Sequence, residues 1–128
     1  KWDAASGNFL RSRENTKRVL EPHMADDGQV NAKNVVTLYV TYVRSKADRK
    51  SPNALTTGKG TGFVMTDGGI IPITWLRGNP RVPFTLLDAN SQYVRLTPGR
   101  TWVELAWKNS LAPVAPGIDP AKVPFPAV

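Results

Sequence analysis

The chain has 128 residues, a formal net charge of +7 and no cysteine. The absence of cysteine excludes disulfides, thiol nucleophiles and cysteine-ligated metals, and the length suits a single domain with one modest core. The excess of Lys and Arg, 17 against 10 Asp and Glu, favours an anionic partner such as nucleic acid, acidic lipid or an anionic polymer.

The first part of the chain gives the weakest structural signal. The stretch SRENTKRVLEPH, which begins at Ser12, contains good helix formers and could give two helical turns before Pro22. Asn15 and Thr16 lower its helical propensity, so a hairpin-like loop fits the pattern equally well. The sequence leaves both structures open here.

His23 is the only histidine, and in PHMADDG it stands near Asp26 and Asp27. An imidazole beside a carboxylate can serve as a general base, so these three residues are weak catalytic candidates. A loop histidine held by local hydrogen bonds is the competing interpretation. With one histidine and no cysteine we expect no metal site, and no motif in the sequence requires a cofactor.

Residues 34–44, NVVTLYVTYVR, show the clearest period of two in the chain. Successive side chains of a strand point to opposite faces, and here both faces are largely apolar. One face carries Val36, Leu38, Val40 and Tyr42, and the other carries Val35, Thr37, Tyr39, Thr41 and Val43. We expect a central strand, or one that is covered on both sides.

The polar stretch RSKADRKSPNALTTGKG follows, and its serine, proline and glycine are typical of an exposed loop. It is the strongest local positive patch, with one acidic residue, Asp48, against the candidate binding residues Arg44, Lys46, Arg49 and Lys50. A solvated loop that maintains solubility is the alternative. The adjoining TGKGTG lacks the spacing of a phosphate-binding loop, so its glycines are interpreted as loop and bulge positions.

The stretch GTGFVMTDGGIIPITWLRG predicts a β-hairpin with strands at 63–66 and 70–76. Asp67 and Gly68 fit the positive φ angles that a tight hairpin turn requires. Pro72 cannot donate a ladder hydrogen bond, so the second strand should lie at an edge of its sheet or contain a bulge.

Strands at 83–88, 93–96 and 101–107, joined by short turns, predict a meander in the second half. In the last strand, Val103, Leu105 and Trp107 share one face, and if that face meets the core, Trp102 is the more exposed ring. Trp102 could then form a stacking platform for sugar rings or anionic polymers, with candidate binding residues Trp75, Arg77, Arg81 and Arg100. Packing of such a ring in the core, with its N–H capped, is the alternative.

Proline is frequent after residue 108, so we predict a domain at 1–108 and an extended tail at 109–128, docked as an arm or free as a linker. The predicted fold class is mostly β: an antiparallel twisted sheet or sandwich built of hairpins, with little helix.

The order of motifs resembles the C-terminal domain of unknown function in YerB-type bacterial lipoproteins. The resemblance lies in GNFLRS, AKNVVTLYV, GKGTGFVMTDGGIIPITW and PFTLLDANSQYVRLTPGRTWVELA, and it runs from Trp2 to Ala106. It implies an exported protein at the cell envelope, anchored in the membrane only through an N-terminal lipid outside this chain, with an α+β first domain. Ile73 stands where relatives have Gly, and Met24 and Ala25 separate His23 from Asp26, so the resemblance carries no role over to that pair.

Together these observations predict a non-enzymatic, extracytoplasmic binding or scaffolding domain that contacts an anionic envelope polymer or a partner protein. The alternative is a hydrolase or transferase that acts on cell-wall material through His23 with Asp26 or Asp27. Nucleic-acid binding is less favoured, because the basic residues form no dense block and the chain carries no groove-reading motif. The sequence does not predict an oligomeric state.

Overall fold

The computed structural model describes residues 1–108, 110–115, 117 and 118, and within these ranges every regular element is a strand. The mostly β fold class is therefore confirmed. The strands, in chain order, are β1 Trp2–Asp3, β2 Asn8–Leu10, β3 Ser12–Glu14, β4 Leu20–Pro22, β5 Met24–Ala25, β6 Gly28–Gln29, β7 Asn31–Ala32, β8 Asn34–Tyr39, β9 Thr41–Arg44, β10 Pro52–Leu55, β11 Gly58–Thr66, β12 Gly69–Arg77, β13 Thr85–Leu87 and β14 Thr101–Ala106. None of the described residues belongs to a helix that could cross a membrane.

The main sheet has five strands in the order β13-β12-β11-β8-β14. Its neighbours are antiparallel except for β14, which runs parallel to β8 with Val103 opposite Val36. The predicted central strand is thus confirmed for β8, which has β11 on one side and β14 on the other. The strand is interrupted at Val40, and the chain continues as β9 in a separate hairpin with β10.

The hairpin β11–β12 has the turn chemistry that the sequence predicts. Thr66 pairs with Gly69, and the two residues between them have positive φ angles, 47° at Asp67 and 73° at Gly68. Both strands extend further than expected, since the glycines of GKG already pair with β12. Pro72 lies in a part of β12 that β13 does not reach, because β13 pairs only with Thr74–Leu76. On the side of β13, the missing N–H of Pro72 therefore interrupts no hydrogen-bonded ladder.

The core lies on one face of this sheet. Its buried members are Val36, Leu38, Val40, Val64, Ile73 and Trp75. The hairpin β9–β10 contributes Tyr42 and Ala54 to the same cluster, and the segment after β12 contributes Phe84. Removing this apolar area from water contributes about 25 cal/mol per Å² and is the main force that holds the sheet against its cover.

The N-terminal segment folds into short antiparallel pairs that add no helix. β1, β2 and β7 form a three-stranded sheet, and β3–β4 and β5–β6 form two hairpins. Of the two structures left open for the segment from Ser12, the hairpin is the one found. Asn15 shapes its loop, because its Oδ1 accepts the N–H groups of Lys17 at 2.9 Å and Val19 at 3.0 Å, a local bonding pattern that competes with helix.

Three expectations for strand layout were wrong. The stretch 44–60 is not loop throughout, since β10 pairs with β9 and β11 begins at Gly58. Residues 93–96 form no strand and make only a single bridge, Leu87 to Tyr93. β14 consequently does not continue a meander and pairs with β8 instead, 67 residues back along the chain at Asn34 and Thr101.

The proline-rich tail is described only in part. Residues 110–115, 117 and 118 form no strand. The Tyr39 hydroxyl donates to the carbonyl of Leu111 at 3.3 Å, which places that residue beside β8. The remainder of the predicted tail lies outside the described residues.

Candidate functional site

The predicted basic loop is a shaped turn between β9 and β10. Ser45 Oγ accepts the N–H of Ala47 at 3.2 Å, and Asp48 Oδ1 accepts the N–H of Lys50 at 3.0 Å. The Ser51 hydroxyl donates to Asp48 Oδ2 at 2.6 Å, and the Ser45 N–H donates to the Ser51 carbonyl at 3.0 Å. Side-chain bonds to the backbone of this kind organise the turn locally. The loop therefore has a defined backbone, from which its exposed basic side chains extend.

A shallow cleft of about 270 Å³ lies between this loop and the end of β14. It is lined by Tyr42, Val43, Arg44, Arg49, Lys50, Ser51, Pro52 and Trp107. The rings of Tyr42 and Trp107 contact each other with centroids 4.6 Å apart and planes tilted by 31°. Trp107 is nevertheless 54% exposed. The cleft thus combines three cations with an open indole surface.

The cations of the cleft form no ion pair among the described residues. Within the described residues the one ion pair joins Arg13 to Glu21, so no carboxylate oxygen lies within 4.0 Å of the charged groups of Arg44, Arg49 or Lys50. Unpaired cations around a concave surface attract anions more strongly than scattered ones.

The one carboxylate of the loop, Asp48, is already engaged. The hydrogen bond from the Ser51 hydroxyl, followed by the one from the Lys50 N–H, lowers the pKa of Asp48 below its ordinary value. Asp48 therefore shapes the loop as an acceptor while the cations face solvent. Lys46 is exposed on the same loop but does not line the cleft.

The second predicted surface is not assembled as expected. Trp75 is 3% exposed, and its Nε1 donates to the Tyr39 carbonyl at 3.1 Å, so its ring is a core element. The guanidinium of Arg77 is engaged in hydrogen bonds within the domain: Nη1 donates to Thr56 Oγ1 at 3.0 Å, and Nη2 donates to the Pro80 carbonyl at 2.7 Å. Arg81 is exposed on the loop that Arg77 holds.

Trp102 and Arg100 are held by neighbours at the far end of β14. The Arg100 guanidinium donates to Asn31 Oδ1 at 3.0 Å. Trp102 is half-buried under the guanidinium of Arg11, 4.8 Å from the ring centroid, and its Nε1 donates to Glu104 Oε2 at 3.2 Å. The expectation that Trp102 is the more exposed ring of β14 was wrong, since Trp107 is the open one.

His23 faces a cation and not a carboxylate. Its Nδ1 is in hydrogen-bond contact with the guanidinium of Arg11, and its backbone pairs with Arg11 and Val30. Asp26 and Asp27 are exposed at the turn between β5 and β6, and no hydrogen bond joins either to His23. Within the described residues no group of three His, Asp or Glu side chains is placed to hold a metal ion. The local-hydrogen-bond interpretation describes this histidine best.

Sequence reasoning missed the aromatic half of the cleft. Trp107 was expected to share the core-facing side of β14, but that strand ends at Ala106 and the alternation ends with it. Tyr42 was expected on a core face, and it does pack there while its ring also supports Trp107. No local signal in the sequence marks this exposure, because the end of regular pairing at Ala106 is visible only in the structure.

The family model described as protein of unknown function (DUF3048) C-terminal domain matches residues 1–103. Among solved structures, the chain is similar to the crystal structure of the YerB protein from Bacillus subtilis, with a TM-score of 0.64 and 17% sequence identity. That similarity covers 83% of this chain and 34% of the YerB chain, so the chain spans about a third of that protein's length. No curated protein matches the chain.

Proposed function

The chain belongs to the DUF3048 C-terminal domain family, as its motif order predicts, and from this premise we propose a function based on the chemistry of the cleft. The domain is a non-enzymatic binding module that holds an anionic polymer, and Arg44, Arg49 and Lys50 supply the binding charge. It works outside the cytoplasm at the cell envelope, a placement proposed on the resemblance of its motifs to YerB-type lipoproteins.

The observation that carries this proposal is the group of three cations that line one cleft and form no ion pair with any carboxylate of the described residues. A guanidinium presents its donors in a planar fork that fits carboxylate, phosphate and sulfate groups. Because the loop is already shaped by its own hydrogen bonds, its backbone loses little conformational entropy when a ligand binds. The net charge of +7 adds long-range attraction for the same class of ligand.

A catalytic role has less support in the arrangement of side chains. His23 Nδ1 contacts the Arg11 guanidinium, which has no proton-accepting capacity, and neither Asp26 nor Asp27 orients the imidazole. A histidine that acts as a general base is normally aligned by a hydrogen-bond acceptor on its second ring nitrogen. The proposal is therefore a binding function.

The test is a calorimetric titration of the protein with poly-L-glutamate at several salt concentrations. The triple variant Arg44→Ala, Arg49→Ala, Lys50→Ala is expected to bind at least tenfold more weakly and to show a shallower salt dependence, because fewer counterions are released. The matched control Lys17→Ala, Lys59→Ala, Arg95→Ala removes the same charge from exposed positions outside the cleft and should lose less than threefold. Equal losses in both triples, or wild-type binding that ignores salt, would overturn the proposal.

The envelope placement has a separate test. In cells that express the full-length protein, an antibody against this domain should label intact cells once the wall is permeabilised, without lysis of the membrane. Labelling that requires membrane lysis would contradict an extracytoplasmic position and leave the cleft chemistry unaffected.

A further inference from the structure

We propose that the cleft selects anionic polymers whose repeating unit contains a sugar ring, and that Trp107 is the residue that recognises the ring. The inference rests on the proposed function and narrows its ligand class to acidic glycans. Trp107 supplies the selectivity for the ring, while Arg44, Arg49 and Lys50 supply attraction that any polyanion shares.

Trp107 is exposed, and neighbouring groups still fix its position. Tyr42 lies against its ring, and the Tyr42 hydroxyl donates to the Leu105 carbonyl at 2.8 Å, which fixes the supporting ring on the end of β14. The Ser110 N–H and hydroxyl both donate to the Trp107 carbonyl, at 3.0 Å and 2.7 Å. A large apolar ring that is held in place and left 54% exposed is an available stacking surface.

The composition of the cleft favours a sugar over a nucleobase. Readers of single-stranded nucleic acid place several aromatic rings along a groove so that successive bases can stack. Among the lining residues described above, the aromatic ones are Tyr42 and Trp107, and these two already cover each other. One open indole face remains. The apolar C–H face of a single pyranose can pack on it while the hydroxyl groups stay in water.

The size of the cleft agrees with one repeating unit of a longer chain. Its volume of about 270 Å³ lies just below the range of pockets that enclose drug-sized ligands, roughly 300–1,000 Å³. An open cleft of this size can accommodate one ring with its acidic group while the rest of the polymer stays in solvent. Arg44 and Lys50 line the same cleft as the indole. The cleft can therefore bind the ring and the acidic group of the same repeating unit.

The experiment compares two carboxylate polymers, polygalacturonate, whose units are sugar rings, and poly-L-glutamate, which has none. The wild-type protein is expected to bind polygalacturonate at least tenfold more tightly at equal carboxylate concentration. Trp107→Ala should remove this preference and leave poly-L-glutamate binding within twofold, while Trp107→Phe should retain most of it. Trp102→Ala, a tryptophan outside the cleft, is the matched control and should preserve the preference.

The outcomes separate the two proposals. If both polymers bind equally and Trp107→Ala changes neither, the glycan inference is overturned while the anion-binding function stands. If neither polymer binds, both fail. Tighter binding of an oligothymidylate than of polygalacturonate, weakened by Trp107→Ala, would assign the cleft to nucleic acid and also overturn the inference. A thermal melt of each variant confirms that it is folded.

Discussion

At Gly62 the backbones of β11 and β8 pass so close that no side chain fits between them. A Cβ at this position would lie 2.0 Å from the carbonyl oxygen of Thr37, which is backbone and cannot swing away. Gly62→Ala is therefore expected to lower the free energy of unfolding by about 3 kcal/mol, as overpacking of a buried site does. Denaturant unfolding measures the loss. Gly69→Ala is the control, since its Cβ would meet only the Thr66 carbonyl at 3.5 Å, and a similar loss there would contradict the close approach.

Asp48 makes the shape of the basic loop dependent on pH. Its pKa is lowered, first by the Ser51 hydroxyl and then by the Lys50 N–H, so its bonds favour the folded loop at any pH above the unfolded value and are lost as the pH falls through the folded pKa. We expect an NMR titration of the Asp48 carboxyl to give a midpoint below 3.8 and Ser51→Ala to move it upward. A midpoint at or above 3.8 that ignores Ser51→Ala would refute this role.

The exposure of the side chains of β14 and of Trp107 was only partly predictable from the sequence. Alternation along the last strand correctly grouped Val103 with Leu105, but it could not show that β14 is an edge strand, where Val103 stays 52% exposed. It also could not show that regular pairing stops before Trp107. Exposure of a ring depends on which segment covers it, and that information lies in distant parts of the chain.

At the scale of elements, Arg77 closes the loop between β12 and β13. Besides its bonds to Thr56 and Pro80, its Nε donates to the Val82 carbonyl at 2.8 Å, and its guanidinium lies 4.7 Å from the centre of the Phe84 ring. Lysine cannot reproduce this planar set of donors. Arg77→Lys is expected to lower the free energy of unfolding by about 2 kcal/mol, which thermal and urea unfolding can measure.

A binding titration separates this structural role from the binding role first expected of Arg77. Arg77→Lys should leave the affinity for poly-L-glutamate within twofold, and the exposed neighbour Arg81→Lys should change neither stability nor affinity. An Arg77→Lys protein of full stability with weakened polymer binding would return Arg77 to the binding surface.

Elements were predictable where the signal is local. The hairpin β11–β12 follows from two adjacent residues that accept positive φ, and the basic loop follows from its charges and turn residues. The pairing of β14 with β8 joins residues 67 positions apart, and nothing in either strand specifies the other. The same separation hid the cleft, because Trp107 reaches Tyr42 only through that pairing.

For the whole molecule, Asn34 is the residue that joins the distant parts. It is fully buried, and its Nδ2 donates to the Thr97 carbonyl at 2.8 Å and to Thr101 Oγ1 at 3.1 Å. Its Oδ1 accepts the Thr66 hydroxyl at 2.7 Å and the Thr97 N–H at 3.0 Å. All four hydrogen-bonding positions of the amide are used. This one side chain thereby ties β8 to β11, to the start of β14 and to the segment between β13 and β14.

Asn34→Ala should consequently destabilise the whole domain, because it removes all four hydrogen bonds of a fully buried amide, including the one that the Thr97 carbonyl accepts, at a cost of about 3 kcal/mol in the free energy of unfolding. Asn34→Asp should be worse at pH 7, since a carboxylate cannot donate to the Thr97 carbonyl and its charge would be buried. Burial raises the pKa of such a carboxyl, so Asn34→Asp should regain part of its stability relative to wild type as the pH falls. Urea unfolding at pH 5 and pH 7 tests both variants against Asn53→Ala, an exposed position that should change little. Loss of stability confined to one sheet, with the rest unfolding as in wild type, would show that Asn34 is a local bond and not the joint of the fold.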